Sequence, residues 1–227
     1  MEPTESGSER NVLEPDLWGK RELDMKTLSR LRYVFSIPEG AVRQCKYFYL
    51  RRRQGLEVCR GPHVIISAAR NFAIYEEDYL VIPARQIGIV SANDDRDLLK
   101  ALSLFLSSDF AFYHQLFTST EFGVKRDRAT LDALKQMPSP LFDLSRAELT
   151  PWVSLHQRLC KTTPRVVGKQ SSTPSLFDQD DLLDALLAEL NDLVSESLGL
   201  SERDRALISD FVHGRPRFVG CTCNDSS

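Results

Sequence analysis

Residues 97–140 read DLLKALSLFLSSDFAFYHQLFTSTEFGVKRDRATLDALKQMPSP. The stretch opens as an apolar run at helical spacing. Leu98, Leu99, Leu102, Leu104, Phe105, Leu106, Phe110 and Tyr113 cover nearly the whole circumference of a helix, and a helix apolar all round is a buried one. Asn93, Asp94 and Asp95 offer N-caps, and Asp97 puts negative charge at the positive end of the helix dipole. The spacing predicts one helix from Asp97 to about Gln115, lying against a sheet as the spine of the domain. A Ser/Thr/Gly-rich turn, Phe117 to Arg128, interrupts it. A second helix over roughly Arg128–Met137 is stopped by Pro138 and Pro140. The turn carries Thr118, Ser119, Thr120, Lys125, Arg126 and Arg128, hydroxyls and cations suited to phosphate oxygens.

Upstream, four short runs bounded by Gly, Pro or Asn predict a small sheet: Lys46–Leu50, Val64–Ser67, Tyr79–Pro83 and Gln86–Ser91. Gly88 inside the last run implies a bulge or a close backbone approach. Leu23, Leu28, Leu31 and Val34 predict a short helix from about Arg21 to Val34, ended by Pro38 and Gly40. Downstream, helix is expected from about Ser145 to Leu159. Residues 162–174 read as a linker. From about Asp178 to Leu198 an amphipathic helix places Leu182, Leu183, Leu186, Leu187, Leu190, Leu193, Val194 and Leu198 on one stripe, with Gly199 at its C′ position. Ser201 and Asp204 read as a capping-box start to a last helix with Leu207, Ile208, Phe211 and Val212 inside. The predicted class is α+β: a small mixed sheet packed on a buried helix, with a C-terminal helical appendage. The expected divisions are a flexible 1–16, a main domain 17–160, a linker 161–177, a helical pair 178–213 and a flexible tail 214–227.

The chain has 227 residues, 42% hydrophobic and 27% charged, ordinary for a globular protein. Its net charge of -3 is unevenly spread: seven Lys and Arg against one acidic residue over 43–70, ten acidic against two basic over 176–212. A basic front would hold any polyanion; solvated faces would give the same pattern. No run has transmembrane length and no signal pattern opens the chain, so a cytoplasmic protein without membrane contact is expected. The cysteines Cys45, Cys59, Cys160, Cys221 and Cys223 are scattered and odd in number, which fits reduced thiols. The sequence holds no dinucleotide-binding glycine fingerprint, Walker loop, H-E-x-x-H or G-x-S-x-G. His63, His114, His156 and His213 are dispersed, and no metal, cofactor or catalytic constellation is legible.

The positive features are of the binding kind. Arg43, Lys46, Arg51, Arg52 and Arg53 lie among Tyr47, Phe48 and Tyr49, a pattern able to hold phosphates and meet bases. A strand ending in a solvated basic loop reads the same way. Arg70 and Asn71 follow the Val64–Ser67 run in a loop, where Arg suits guanine and Asn adenine in a major groove. Lys125, Arg126 and Arg128 follow Gly123 and are placed to neutralise phosphates, assisted by backbone N–H groups of the next helix.

Taken in order, GPHVIIS (61–67), QIGIVS (86–91), the 98–140 stretch and LNDLVSESLGLSERDRALISDFV (190–212) resemble the C-terminal half of bacterial N6-adenine DNA methyltransferases of restriction–modification and phage-defence systems. That family carries L-N-S, then T-S-x-x-G-(I/V)-x-R-x-R, then L-x-x-L-x-x-(L/I/M)-P-x-P in its target-recognition region. Here stand Leu106-Ser107-Ser108, Thr118 to Arg128, and Leu131 to Pro140, with Ser107 for the usual asparagine, Phe122 where tryptophan is common, and Asp127 interrupting the basic run. The resemblance spans roughly residues 40–212. It implies double-stranded DNA as ligand, contacted through Thr118, Ser119, Lys125, Arg126, Arg128, Arg51, Arg52, Arg53, Arg70 and Asn71. The family's S-adenosylmethionine loop and Asn-Pro-Pro-Tyr-type motif do not occur, and the chain has no Pro-Pro pair. The cofactor and the methyl transfer are therefore expected on a separate catalytic polypeptide, with no catalytic residue in this chain. The alternative is a structural subunit that docks such a partner through the leucine-rich helix.

Overall fold

The computed structural model describes residues 11–13, 17, 19–45, 49–51, 56–67, 72–83, 86–119, 131–162, 164–166 and 177–213. They form an α+β fold. Its centre is a three-stranded antiparallel sheet of β6 (His63–Ile66), β7 (Ala73–Glu76) and β8 (Ile87–Val90), ordered β7-β6-β8. Ile65 of β6 pairs with Ile74 on one side and Gly88 on the other. All four residues of β6 are buried. Successive strand residues face opposite sides, and both sides are covered here, so the run is apolar throughout instead of alternating. Val64 and Ile66 face a large helical core, while Ile65 faces a smaller one built with Leu23, Leu28, Val34, Leu80 and Ile82.

The expectation of a close approach at Gly88 is met: a Cβ there would lie 2.8 Å from Ile82 Cδ1 and 3.0 Å from Val58 Cβ. Gly61 is tighter still, since a Cβ would fall 1.9 Å from the Glu77 carbonyl oxygen.

On the helical side, α2 (Arg96–Ser107) lies across β6 and β7 and packs on α5 (Arg146–Leu159) and α6 (Phe177–Ser197). Asp95 caps α2, its carboxylate accepting from the Leu98 N–H at 3.1 Å. Leu99, Leu104 and Phe105 are wholly enclosed with Trp152 and Leu155 of α5 and Leu183, Leu186, Leu190 and Val194 of α6. The stripe of the C-terminal helical region therefore closes over the chain's own core. The two capping signals at 145 and 201 are formed: the Ser145 hydroxyl meets Glu148, and the Ser201 hydroxyl meets Asp204 at 2.6 Å, ahead of α7 (Glu202–His213). Gly199 takes φ +64 after α6, where a residue without Cβ is favoured. Two leucines depart from expectation: Leu182 of the α6 stripe and Leu207 of α7 are each 55% exposed, while Ile208 turns inward.

Three expectations need correction. The helix expected over 21–34 is instead β2 (Arg21–Leu23), a four-residue α1 (Met25–Leu28) and β3 (Leu31–Arg32). Asp24 accepts from the Lys26 N–H and the Thr27 hydroxyl, fixing a local turn, and β2 finds a partner in β4 (Val42–Gln44). The single helix expected over 97–115 is two, broken at Ser108 ahead of α3 (Asp109–Thr118). The Ser108 hydroxyl donates to the Phe105 carbonyl at 2.7 Å and accepts from the Ala111 N–H at 3.2 Å, ending one helix and starting the next. The run 79–83 buries Leu80, Val81 and Ile82 but makes no ladder: Val81 forms only an isolated parallel bridge with Glu22. Ala73–Glu76, not foreseen, takes the edge of the sheet. Finally, α4 covers Leu131–Lys135, and residues 128–130 of the expected helix lie outside the described residues.

Three two-stranded antiparallel ladders complete the fold: β2 with β4, β1 (Asn11–Leu13) with β5 (Tyr49–Arg51), and β3 with β9 (Arg165–Val166). Residues 11–13 of the expected flexible 1–16 form β1; the other residues of 1–16, residues 163 and 167–176 of the predicted linker, and the tail 214–227 with Cys221 and Cys223 lie outside the described residues. No described helix is long and apolar enough to cross a membrane.

Candidate functional site

Helix α3 is the element that carries the end of the quoted stretch to the surface. Its root is fixed by Ser108 and by Asp109, whose backbone N–H donates to Asn191 Oδ1 at 3.0 Å while its Oδ2 accepts from Asn191 Nδ2 at 2.8 Å. Asp109 Oδ2 also meets His213 Nε2 of α7 at 2.9 Å. This three-residue tie joins α3, α6 and α7. Phe110 packs against Phe105 of the core, with ring centroids 6.0 Å apart. Towards its C-terminal end the same helix surfaces. Phe117 is 61% exposed. Its ring stands 4.7 Å from Tyr113 and 5.1 Å from Phe211 of α7, and Tyr113 meets Phe211 edge-on at 5.4 Å. The three rings make a ridge held from two helices.

Thr118 and Ser119 follow directly. Thr118 is exposed, and its hydroxyl donates back to the His114 carbonyl at 2.8 Å. Ser119 caps α3 through its N–H to the Gln115 carbonyl at 2.9 Å. Its side chain is turned inward, 5% exposed, and its hydroxyl has no partner. One turn earlier, Gln115 is fully buried with both amide atoms unpartnered. Burial lowers the pKa of His114, which favours its neutral form.

Of the other residues singled out in the sequence, Lys125, Arg126, Arg128, Arg52, Arg53, Arg70 and Asn71 lie outside the described residues. Arg51 ends β5 opposite Asn11. Segment 120–130 connects α3 to α4, two helices in mutual contact, so Thr118, Ser119 and the basic run share one junction along the chain. Arg43 is placed differently from the loose basic cluster its sequence context suggested. Its guanidinium donates twice to the buried Glu22 carboxylate, at 3.0 and 3.2 Å, and is committed to folding.

No family model, curated protein or solved structure matches this chain.

Among the described residues, the His156–Cys160 pair does not make a nucleophile. Cys160 Sγ lies 3.6 Å from both ring nitrogens of His156, and His156 meets Tyr75 edge-on at 5.7 Å. Burial, with a smaller contribution from the Lys100 charge, holds His156 at about 4. Burial likewise pushes the Cys160 thiol up to about 11. The pair is thus a neutral imidazole beside a protonated thiol, the opposite of the thiolate–imidazolium state that a reactive cysteine needs. His63 sits inside the sheet, Nδ1 2.7 Å from the Val58 carbonyl. Among the described residues no group of three or more His, Cys, Asp and Glu could hold a metal ion.

Sequence reading missed the ridge. The sequence pattern puts Tyr113 and Phe211 in the core, and the signal that distinguishes them is the recurrence of aromatics at 110, 113 and 117. Such a row runs from the core to the surface as the helix emerges.

Proposed function

We propose that this chain is the DNA-recognition module of an adenine-specific methyltransferase system, of the restriction–modification or phage-defence kind. It grips duplex DNA and leaves methyl transfer to a catalytic polypeptide that carries S-adenosylmethionine. The observation that carries this reading is the exposed Phe117 ring, backed by the partly buried Tyr113 and Phe211 and immediately continuous with Thr118 and the segment TSTEFGVKRDR. Aromatic faces next to clustered cations combine stacking with phosphate neutralisation. Lys125, Arg126 and Arg128 position the duplex through its phosphates. The Phe117 ring then stacks on, or wedges beside, a base displaced from the helix, which is how enzymes of this chemistry reach an adenine amino group. The burial of Leu183, Leu186, Leu190 and Val194 within this chain favours this reading over the docking alternative, which retains the exposed Leu182.

Fluorescence anisotropy with labelled duplex DNA across a salt series tests the proposal. Log affinity falls against log salt by about 0.9 per phosphate neutralised. Changing Lys125, Arg126 and Arg128 together to Ala should reduce that slope by about 2.7. Affinity indifferent both to salt and to the triple substitution would remove the reading.

A further inference from the structure

Six buried side-chain nitrogen and oxygen atoms among the described residues have no hydrogen-bond partner, and three of them lie within one turn of α3: both amide atoms of Gln115 and the hydroxyl oxygen of Ser119. Gln115 is 0% exposed and Ser119 5%. They stand four residues apart, the spacing at which side chains on a helix meet, yet neither satisfies the other. One turn earlier the same face carries Ala111, apolar and enclosed in the core. Packing alone therefore gives no reason for an amide at position 115, and a buried polar group without a partner is costly.

The amide is also uncommitted, so no hydrogen bond breaks when its side chain rotates. Thr118, three residues on, is its neighbour on the helix surface, about 60° round the axis, and Thr118 is exposed. A rotated Gln115 side chain leaves the interior on that side, close to Phe117, which is 61% exposed. The Thr118 hydroxyl does not compete there, since it donates to the His114 carbonyl at 2.8 Å. A glutamine amide presents an acceptor and a donor side by side. Adenine offers the complement in a major groove, an N6 amino group that donates and an N7 that accepts. Guanine offers two acceptors, N7 and O6, and cannot take both bonds.

We propose that Gln115 is a specificity-determining residue, which turns out beside Thr118 when duplex DNA is bound and reads an adenine edge in the major groove. Its Oε1 accepts from the adenine N6 amino group and its Nε2 donates to N7. The inference rests on the DNA reading of the exposed end of α3 and adds to it a division of labour. Lys125, Arg126 and Arg128 supply affinity without regard to sequence, and Gln115 supplies a choice of base.

Selection from a pool of random-sequence duplexes, with the bound fraction sequenced, is the test. The parent chain should enrich a motif containing adenine. Gln115→Met should relax that motif at one adenine position and keep the others, with the slope of log affinity against log salt unchanged. Urea unfolding of the same variant should show a raised midpoint, so stability and specificity move in opposite directions. Placing 7-deazaadenine, which lacks the N7 acceptor, at the relaxed position should weaken binding by the parent chain about tenfold and leave Gln115→Met unaffected. Salt-dependent binding without any enriched motif overturns this inference and leaves the DNA reading standing. An unchanged motif in Gln115→Met, relaxation at a base other than adenine, or a lowered urea midpoint overturns it as well. Absence of salt-dependent duplex binding removes the DNA reading itself, and this inference with it.

Discussion

Replacing Phe117 with Ala separates the aromatic ridge from the fold beneath it. A fully buried Phe costs about 3–5 kcal/mol on truncation. Phe117 is 61% exposed, so its share of that loss, with its contacts to Tyr113 and Phe211, comes to about 1–2 kcal/mol. That is small against the stability of a typical domain, about 5–15 kcal/mol, and the variant should remain folded. A ring that stacks on a base contributes about 1–3 kcal/mol to binding, so duplex affinity should fall by about 5- to 150-fold. Because Phe carries no charge, the slope of log affinity against log salt should not change. The Lys125, Arg126 and Arg128 substitutions should do the reverse, flattening the slope. Leu207→Ala is the control: it removes an apolar side chain that is 55% exposed on α7 but has no place among the three rings. Anisotropy titrations at several salt concentrations, with urea unfolding alongside, read all of these. An affinity for Phe117→Ala within about twofold of the parent chain would refute the stacking role. So would a Leu207→Ala variant that loses as much.

Gly61→Ala should destabilise by about 2 kcal/mol or more, because the new Cβ falls 1.9 Å from a backbone carbonyl oxygen that cannot yield cheaply; a lowered urea midpoint with unchanged slope checks it. Burial holds His156 at about 4 against 6.5 in the unfolded chain, so the unfolded chain takes up the proton first as pH falls. Stability is then full above pH 6.5 and is lost progressively towards pH 4, by an amount on the order of 3 kcal/mol. His156→Phe should flatten that decline in pH-resolved unfolding, leaving the part due to His63 and His114, whose pKa values burial also lowers. Gln115→Met should stabilise the isolated chain by about 1–2 kcal/mol, since it replaces two buried amide atoms without partners by an apolar group of similar length; a fall in melting temperature would show that the amide is paired in solution.

The elements legible in the sequence were those whose local chemistry and burial agree. Ser145 with Glu148 and Ser201 with Asp204 are complete capping signals within four residues, and both formed. The 63–66 and 87–90 runs became strands because each met a partner as well as a core. The 79–83 run shows the limit of this reading. Leu80, Val81 and Ile82 are enclosed as fully as any strand residue, yet the Leu80 N–H goes to the Cys59 carbonyl and no ladder forms. Apolar runs report burial; pairing depends on what lies alongside. Ala73–Glu76 illustrates the converse, an edge strand with Ala73 and Ile74 buried but Tyr75 and Glu76 only partly so, whose sequence is not a continuous apolar run. In residues 21–34 the leucine spacing was real, but Leu23, Leu28 and Val34 reach one core from a strand, a helix turn and a bridge in succession.

The candidate sites divide along the same line. Basic and hydroxyl residues clustered over 118–128 are adjacent in the chain, and adjacency is what a sequence displays. Asp109, Asn191 and His213 lie 82 and 104 positions apart in their hydrogen-bonded pairs, and only the packing of three helices joins them. Each alone reads as a helix-end carboxylate, a surface amide and a frayed histidine. The Ser108 break decides their meeting. A continuous helix would place Asp109 within a turn's interior, its N–H bonded to the Phe105 carbonyl. Ser108 takes that carbonyl instead, and the freed N–H of Asp109 goes to Asn191. The same break redirects α3, so that Phe110 still meets the core while Phe117 stands in solvent beside Phe211. One serine in an otherwise apolar run thus places both the aromatic ridge and the polar tie, at opposite ends of one ten-residue helix.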